Sequence, residues 1–232
     1  MADLDDLDRY LAAVRDRRPP VDKSELLLDL ARGRRVLDVG CIDHSAETAL
    51  SLGDTWLHGR LRDTASTLVG LDVLERDAAV LNERGFDIRI GDAEAFDLGE
   101  TFDLVVAADL IEHLPNSGMF LDSLRRHLAP GGRIVVTTPN PFNLDQWAGV
   151  GRRNAVAVNE QHVLWLDPVT MFQLTRRLGF SIERFEWIST RFAFPPFGRP
   201  RLARAWVRAA DWAAGRRTYW RRDFAVVLRD AG

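Results

Sequence analysis

The chain has 232 residues, of which 46% are hydrophobic and 28% are charged, and its formal net charge is −3. This composition supports a buried core and excludes a wholly disordered chain, and the near-neutral charge argues against a protein that coats nucleic acid. Lys23 is the only lysine among 31 cationic residues, and Cys41 is the only cysteine. The sequence therefore excludes an internal disulfide and a zinc site made of cysteines, and any lysine chemistry would have to use Lys23.

The first ten residues carry four aspartates, at the place where a secretory signal would have basic and then apolar residues. The sequence contains no apolar run of about 18 residues, the length that a membrane-spanning helix needs. We therefore expect a cytoplasmic protein.

Residues 1–33 are predicted to form a helical cap that precedes the main domain, residues 34–232. Apolar residues at helical spacing predict a first helix that ends at Pro19 and Pro20. A second helix is predicted from Ser24 to Arg32, with Ser24 as its N-cap.

Short apolar segments alternate with helical segments along the main domain, which predicts a doubly wound, Rossmann-like α/β sheet. Two long segments interrupt this alternation and are predicted to be inserts on the substrate side: residues 139–167, expected to be irregular, and residues 191–222, expected to be a helical insert before the last strand. The predicted strands are residues 35–39, 68–72, 86–90, 102–107, 133–138, 180–187 and 224–228.

Acidic residues follow the first four predicted strands. Ligands of such sheets bind at the carboxyl ends of the strands, so these acids are candidates for a nucleoside site. An acid after the second strand can accept hydrogen bonds from ribose hydroxyls, and an acid after the third can accept one from an adenine amino group. The residues concerned are Asp38 with Gly40, Asp72, Asp92 and Asp109.

Two classes of cofactor carry such a nucleoside, the dinucleotides and S-adenosylmethionine. A dinucleotide site needs a G-x-G-x-x-G turn, whereas residues 40–45 read GCIDHS, with one glycine and an aspartate that would repel a pyrophosphate. A sulfonium amino acid carries no phosphate, so this turn favours S-adenosylmethionine.

Five motifs occur in this order along the chain: VLDVGC (36–41), GLDV (70–73), GDAE (91–94), FDLVVAADLIEHLP (102–115) and LAPGGRIVVTTPN (128–140). The ordered set resembles the class I S-adenosylmethionine-dependent methyltransferases, and it is most similar to the small-molecule branch that includes ubiquinone-type and natural-product enzymes. The resemblance covers roughly residues 34–190 and the last strand, and it implies a seven-stranded sheet whose last strand is antiparallel.

The resemblance also implies roles for individual residues. Asp38 and Gly40 would lie beside the methionine part of the cofactor, and Asp72 would lie at the ribose. Asp92 and Ala93 would meet the adenine. The last pair, Asp109 and Leu110, would border both the methionine and the substrate.

The first turn departs from the pattern of the family. Ile42 and His44 stand where the family usually has glycines that let the backbone approach the cofactor. Ile42 must either point away from the pocket or narrow it. The alternative to an enzyme is therefore a methyltransferase-like binding or accessory protein with a degenerate cofactor turn.

An acceptor hydroxyl would need a base, and three residues are candidates. His162 comes first, because the segment after the fifth strand would fold over the substrate; His113 and Glu160 follow. His113 has an equally good interpretation as a structural residue of the cofactor loop. We expect no metal site, since Glu160 and His162 alone are weak evidence for one.

Residues 191–222 contain nine arginines, one aspartate and seven aromatic residues, so this segment carries a charge of +8. It could be a solvated helix, a cap over an apolar or anionic substrate, or a helix on a membrane surface, and RNA binding is less favoured. We expect a methyl acceptor that is a sugar, polyketide, quinone or lipid-linked compound. A nucleic-acid substrate is disfavoured because the sequence after the fourth strand, Asp109-Leu-Ile-Glu, lacks an N/D-P-P-Y/F/W motif.

Overall fold

The structure, a computed structural model, describes Leu4 and residues 6–156, 159–189 and 212–232, which build one sheet with helices on both faces. The strands are β1 (Val21–Asp22), β2 (Arg35–Val39), β3 (Thr67–Asp72), β4 (Ile88–Ile90), β5 (Phe102–Ala108), β6 (Leu128–Pro139), β7 (Phe180–Ser189) and β8 (Asp223–Asp230). The α-helices are α1 (Leu7–Arg15), α2 (Lys23–Ala31), α3 (Ala46–Ser51), α4 (Leu57–Thr64), α5 (Glu75–Asn82), α6 (Ser117–Arg126), α7 (Leu144–Arg153) and α8 (Pro168–Arg177).

The strands lie in the order β1-β7-β8-β6-β5-β2-β3-β4, and β8 runs antiparallel to both of its neighbours. This confirms the predicted Rossmann-like α/β fold with an antiparallel last strand. The predicted number of strands was wrong by one, because β1 pairs with β7 through Val21 and Asp22 and makes an eighth strand. Two residues after a pair of prolines show no periodicity, so no sequence pattern indicates this strand.

The central strands are apolar because both faces of the sheet are covered. Leu27 of α2 and Leu61 of α4 cover one face, where they pack with Val36 of β2 and Leu104 of β5. The other face carries the larger cluster, which includes Tyr10 of α1. Strand order reverses beside β2, since the chain runs from β2 outward to β4 and then returns to β5. The carboxyl ends of β2 and β5 therefore border the crevice in which such sheets bind ligands.

An N-terminal arm, residues 16–23, leads from α1 to α2. Strand β1 fixes it to β7, and the buried guanidinium of Arg221 donates a hydrogen bond of 2.7 Å to the carbonyl oxygen of Arg18. The N-cap of α2 is Asp22, whose carboxylate accepts from the backbone N–H of Glu25, and not Ser24 as predicted. Helix α2 consequently begins at Lys23, one residue before the predicted start.

The segment 139–167, predicted to be irregular, contains α7. Asn143 caps this helix by accepting from the backbone N–H of Gln146, and an ion pair of 2.6 Å joins Asp145 to Arg222 at the start of β8. Most of the predicted insert 191–222 lies outside the described residues. Its described part, residues 212–222, begins with Trp212, whose side chain is largely exposed and lies 3.6 Å beneath the guanidinium of Arg216. The described helices include none that is long and apolar enough to cross a membrane.

Candidate active site

Gly40 forms the turn that follows β2. Its φ of +75° favours glycine, and an added Cβ would lie 3.1 Å from two methyl carbons of Leu110. Leu110 follows β5, so this contact joins the ends of the two strands that border the crevice. Gly40 and Leu110, each predicted to border the methionine part of the cofactor, therefore lie in contact, and Leu110 occupies the space that a side chain at position 40 would need.

Asp38 and His58 form a buried pair below this turn. Asp38 Oδ2 lies 2.9 Å from His58 Nδ1, and the two side chains are only 4% and 1% exposed. Helix α4 places His58 against β2. The Asp38 carboxylate is therefore held by the His58 imidazole directly before the turn at Gly40.

Asp72, at the end of β3, fastens the same turn. Its Oδ2 accepts a hydrogen bond of 2.9 Å from the backbone N–H of Ile42, and its Oδ1 accepts one of 3.2 Å from that of Leu74. Burial raises the pKa of the Asp72 carboxyl, and these hydrogen bonds oppose the increase.

The two residues that depart from the family pattern occupy different surroundings. Ile42 is buried in a cluster that includes Cys41, Ala46 and Trp56, so its side chain packs among these residues. His44 has a φ of +57°, a conformation that glycine adopts more easily, and its imidazole is exposed. His44 thus adopts the left-handed conformation at one of the two positions where the family usually has glycine.

Asp92 and Ala93 follow β4 and lie next to the end of β3, because the N–H of Gly91 donates to the carbonyl oxygen of Asp72 over 3.0 Å. Asp92 is exposed, and its Oδ1 accepts from the N–H of Glu94; Ala93 is buried. The fold therefore brings the predicted ribose and adenine residues to one edge of the sheet.

Asp109 ends β5 in a left-handed conformation, with φ of +50°. Its N–H donates to the carbonyl oxygen of Thr137, and Thr137 Oγ1 donates to Asp109 Oδ1 over 2.6 Å. The ammonium of Lys23 donates to Asp109 Oδ2. Burial alone would raise the pKa of the Asp109 carboxyl, but Lys23 holds it below the usual value. This partner was not predicted, because the only sign of it in the sequence is that Lys23 is the sole lysine.

Glu112, His113 and His162 form a cluster beyond Asp109. The two imidazole rings are perpendicular with centroids 4.6 Å apart, and one donor atom from each of the three residues lies within 4.8 Å of the others. The carbonyl oxygen of Glu112 accepts from the N–H groups of Val163 and Leu164, which holds the 159–165 segment against this cluster. Two of the three predicted base candidates thus meet, while the third, Glu160, is exposed on the same segment.

This cluster can exchange protons near neutral pH. Burial raises the pKa of Glu112 to about 7, although Thr138 Oγ1 donates a hydrogen bond of 2.9 Å to its carboxylate. Burial, aided by His113, lowers the pKa of His162, so that its imidazole is neutral and able to accept a proton at pH 7. The same donor set, one carboxylate and two imidazoles, is also of the kind that binds divalent cations. The sequence analysis considered only Glu160 as a partner of His162, so this set of three possible ligands was not predicted.

A model of the methyltransferase-domain family matches residues 7–184, more than half of the sequence. The chain belongs to this family. The match includes every predicted cofactor and base residue, and it begins within the first helix.

Curated relatives agree with this assignment. This methyltransferase domain is 30% identical over 154 residues to a protein of Mycolicibacterium smegmatis named "Probable S-adenosylmethionine-dependent methyltransferase", an alignment that covers 65% of this chain and 53% of that protein. It is 28% identical over 116 residues to the ubiquinone biosynthesis O-methyltransferase of Pseudomonas entomophila, with 47% of this chain and 45% of that enzyme covered. The chain therefore spans about half the length of these relatives.

Solved structures share the fold. An S-adenosylmethionine-dependent methyltransferase from Mesorhizobium loti superposes with a TM-score of 0.55 at 18% identity, covering 89% of this chain and 95% of the other. Magnesium protoporphyrin IX methyltransferase from Synechocystis, solved with bound SAH, gives 0.56 at 12% identity, with 88% and 80% covered. The [4+2]-cyclase SpnF gives 0.57 at 20% identity, with 97% and 93% covered. Because a cyclase shares this fold, the chemistry of the chain has to be argued from its own residues.

Proposed function

We propose that the chain is an S-adenosylmethionine-dependent methyltransferase that methylates an oxygen of a small molecule, such as a sugar, polyketide, quinone or lipid-linked compound. The observation that carries the proposal is the glycine turn at the end of β2, where Gly40 packs against Leu110, Asp72 accepts from the N–H of Ile42, and Asp109 directly precedes Leu110. A turn without a side chain, beside carboxylates and without a phosphate-binding loop, suits a cofactor that is positively charged and carries no phosphate.

Each cofactor-facing residue has a role in this proposal. Asp72 keeps lone pairs free beyond its hydrogen bonds to backbone N–H groups and accepts from the ribose hydroxyls. Asp92 and Ala93 border the adenine. Gly40 and Leu110 border the methionine part of the cofactor. Asp38 does not contact the cofactor in this proposal; with His58 it stabilises the turn at Gly40. The bound cofactor supplies a methyl group on a sulfonium, whose thioether leaving group needs no acid.

The acceptor would lie beside the Glu112, His113 and His162 cluster. His162 removes the proton of the acceptor hydroxyl, and His113 orients its ring by edge-to-face contact. Relatives named as ubiquinone biosynthesis O-methyltransferases support a hydroxyl acceptor. Glu160 remains the third candidate for the base, although its exposure makes the imidazole the better one.

Calorimetric titration with S-adenosylhomocysteine tests the cofactor assignment. We expect binding at micromolar concentrations, followed by acceptor-dependent release of S-adenosylhomocysteine from S-adenosylmethionine in a screen of hydroxylated compounds. A titration without heat would instead favour a binding or accessory protein with a degenerate turn. Binding without turnover on any acceptor would favour a cofactor-binding protein of another activity, as the cyclase neighbour illustrates.

Replacing His162 with alanine or glutamine should lower kcat for a hydroxyl acceptor by about 100-fold or more, because general-base catalysis contributes on that scale. The KM for S-adenosylmethionine should stay within a few-fold of that of the parent. Steady-state kinetics at saturating acceptor measure both effects, with Glu160→Gln as the comparison on the same segment. Rates of both His162 variants within a few-fold of the parent would remove His162 as the base.

The location in the cell and a membrane contact remain predictions from the sequence. We propose a cytoplasmic protein that binds anionic lipid surfaces through residues 191–222. Within the described part of this segment, the exposed Trp212 and the guanidinium of Arg216 above it support the proposal. Co-sedimentation with anionic and neutral liposomes at low salt tests the contact, and equal recovery with both would exclude it.

A further inference from the structure

The adenine loop, residues 91–98, follows β4 and carries both residues proposed to border the adenine. Its backbone is fastened along α6. The carbonyl oxygen of Glu94 accepts a hydrogen bond of 2.9 Å from Ser123 Oγ, and the N–H of Leu98 donates one of 2.9 Å to His127 Nε2. Because Ser123 and His127 are buried, water does not compete for these contacts, and the helix fixes the position of the loop.

A contact between Glu94 and Asn116 joins this loop to the start of α6. The carboxylate of Glu94 accepts two hydrogen bonds from Asn116, one of 2.7 Å from its backbone N–H and one of 2.8 Å from its side-chain amide. Asp92 is oriented by the same residue, because its Oδ1 accepts from the N–H of Glu94 over 2.9 Å. The contact therefore acts on a carboxylate that borders the adenine in the proposed function.

Asn116 occupies the N-cap position of α6 without capping the helix. An asparagine at this position usually accepts a hydrogen bond from a backbone N–H of the first turn, and such a cap stabilises the helix. The side chain of Asn116 makes no cap hydrogen bond and donates to Glu94 instead. A departure from a local rule of this kind is expected where a residue serves a functional site.

The acceptor cluster, formed by Glu112, His113 and His162, lies on the other side of Asn116. Glu112 and His113 belong to a 3-10 turn that ends just before it. Two residues separate this turn from Asn116, and the second is Pro115, whose ring restricts the backbone. A displacement of Asn116 is therefore transmitted through a short, stiff segment to the His113 ring that contacts His162.

We infer that the Glu94–Asn116 contact couples the two ends of the site, so that binding of the adenine sets the position of the His113 and His162 rings. The inference rests on the proposed function and adds a link between its cofactor and its acceptor. Asn116 is then a positioning residue, which touches neither ligand and acts through Glu94 and the 3-10 turn. Two sites that share one fixed element influence each other reciprocally.

Two variants separate this contact from the role of Asn116 in the helix. Asn116→Asp keeps the shape of the side chain and an equally good N-cap residue, but it places a carboxylate against that of Glu94. The double variant Asn116→Asp/Glu94→Gln exchanges the amide and the carboxylate between the two positions. It has the net charge of the parent, and it can form the side-chain hydrogen bond in the opposite direction.

Calorimetry measures the effect at the adenine with two ligands, S-adenosylhomocysteine and S-inosylhomocysteine, in which an oxygen replaces the adenine amino group. The parent should bind S-adenosylhomocysteine about 10- to 100-fold more tightly, the range expected for a hydrogen bond to a charged group. Asn116→Asp should reduce this preference to about 3-fold or less, because Asp92 is no longer held, and the double variant should recover most of it.

NMR measures the effect at the acceptor cluster. The ring signals of His113 and His162 can be assigned by substituting each in turn, since the chain has only five histidines. Saturation with S-adenosylhomocysteine should shift both signals in the parent and in the double variant. In saturated Asn116→Asp the shifts should be largely lost. A role confined to capping α6 would leave the shifts unchanged, because aspartate caps a helix as well as asparagine does.

Glu94→Ala removes both accepting oxygens without adding a charge, and it gives the same two measurements if Asn116→Asp does not fold. The same losses are expected. Asp97→Ala is the matched control, because it removes a carboxylate that is 81% exposed from the same loop. It should keep the ligand preference and the histidine shifts of the parent.

A preference and shifts like those of the parent, in either Asn116→Asp or Glu94→Ala, would overturn the inference. Loss of the preference with unchanged histidine shifts would also overturn it, since the contact would then hold the adenine loop alone. A double variant that recovers neither property would show that the lost contact is not the cause. Failure of the parent to bind S-adenosylhomocysteine would instead overturn the proposed function.

Discussion

Replacing His58 with alanine is expected to lower the free energy of unfolding by about 3–5 kcal/mol, the usual cost of leaving a buried charge without its partner. His58 and Asp38 are almost completely buried and lie 2.9 Å apart. Removal of the imidazole leaves the Asp38 carboxylate in a cavity between β2 and α4. The turn at Gly40 should loosen as well, so cofactor affinity should fall in the same variant.

Urea unfolding at pH 7 measures this effect. His44→Ala is the matched control, because His44 is 69% exposed and its imidazole lies 3.5 Å from Asp43 at the surface; it should change stability by less than about 0.5 kcal/mol. The double variant Asp38→Asn/His58→Ala should be more stable than His58→Ala, since the unpaired charge is gone. A loss below about 1 kcal/mol in His58→Ala would show that the pair is not coupled as described.

The stability of the protein should depend on pH through Glu112. Burial raises the pKa of Glu112 from 4.5 to about 7, so the folded chain binds this proton more tightly than the unfolded chain does. The contribution of Glu112 to stability is therefore largest below about pH 4.5, decreases as the pH rises toward 7, and has been lost above pH 7. Between the low-pH and high-pH limits, the contribution of Glu112 to the free energy of unfolding changes by about 3 kcal/mol, at 1.36 kcal/mol per pKa unit.

Glu112→Gln should remove this dependence, because the amide does not titrate and its oxygen can still accept from Thr138. The free energy of unfolding is measured at pH 5 and at pH 8, with a chelator present so that no cation binds the cluster. The change between these two pH values should be about 2–3 kcal/mol smaller in the variant than in the parent. Glu160→Gln, on the exposed segment, should follow the parent. Parallel pH profiles of Glu112→Gln and the parent would contradict the prediction.

Sequence patterns predicted the elements of the main sheet, because apolar runs such as those of β2 and β5 must be buried wherever they lie. They also predicted which strand ends carry the acids. Contacts between distant residues were different: 86 residues separate Lys23 from Asp109, and 20 separate His58 from Asp38. Such pairs depend on how α2 and α4 cross the sheet, which local periodicity does not encode.

The same reason explains the base candidates. His113 and His162 were each predicted from the segment in which they lie. The contact that joins these two segments is made by the backbone carbonyl of Glu112, which no sequence pattern indicates. Glu160 was chosen for its closeness to His162 along the chain, and in the structure it remains exposed. Closeness in the fold, rather than in the chain, brings Glu112 into the cluster.

The position of β8 determines the order in which the protein can be completed during synthesis. This strand follows all the others along the chain and lies between β6 and β7, so β7 is joined to the central strands only after β8 has left the ribosome. Strand β1 pairs with β7, and Arg221 lies just before β8, so the arm that carries Lys23 must wait as well. The first helices are made early, yet their place in the site is fixed only after β8 has been made.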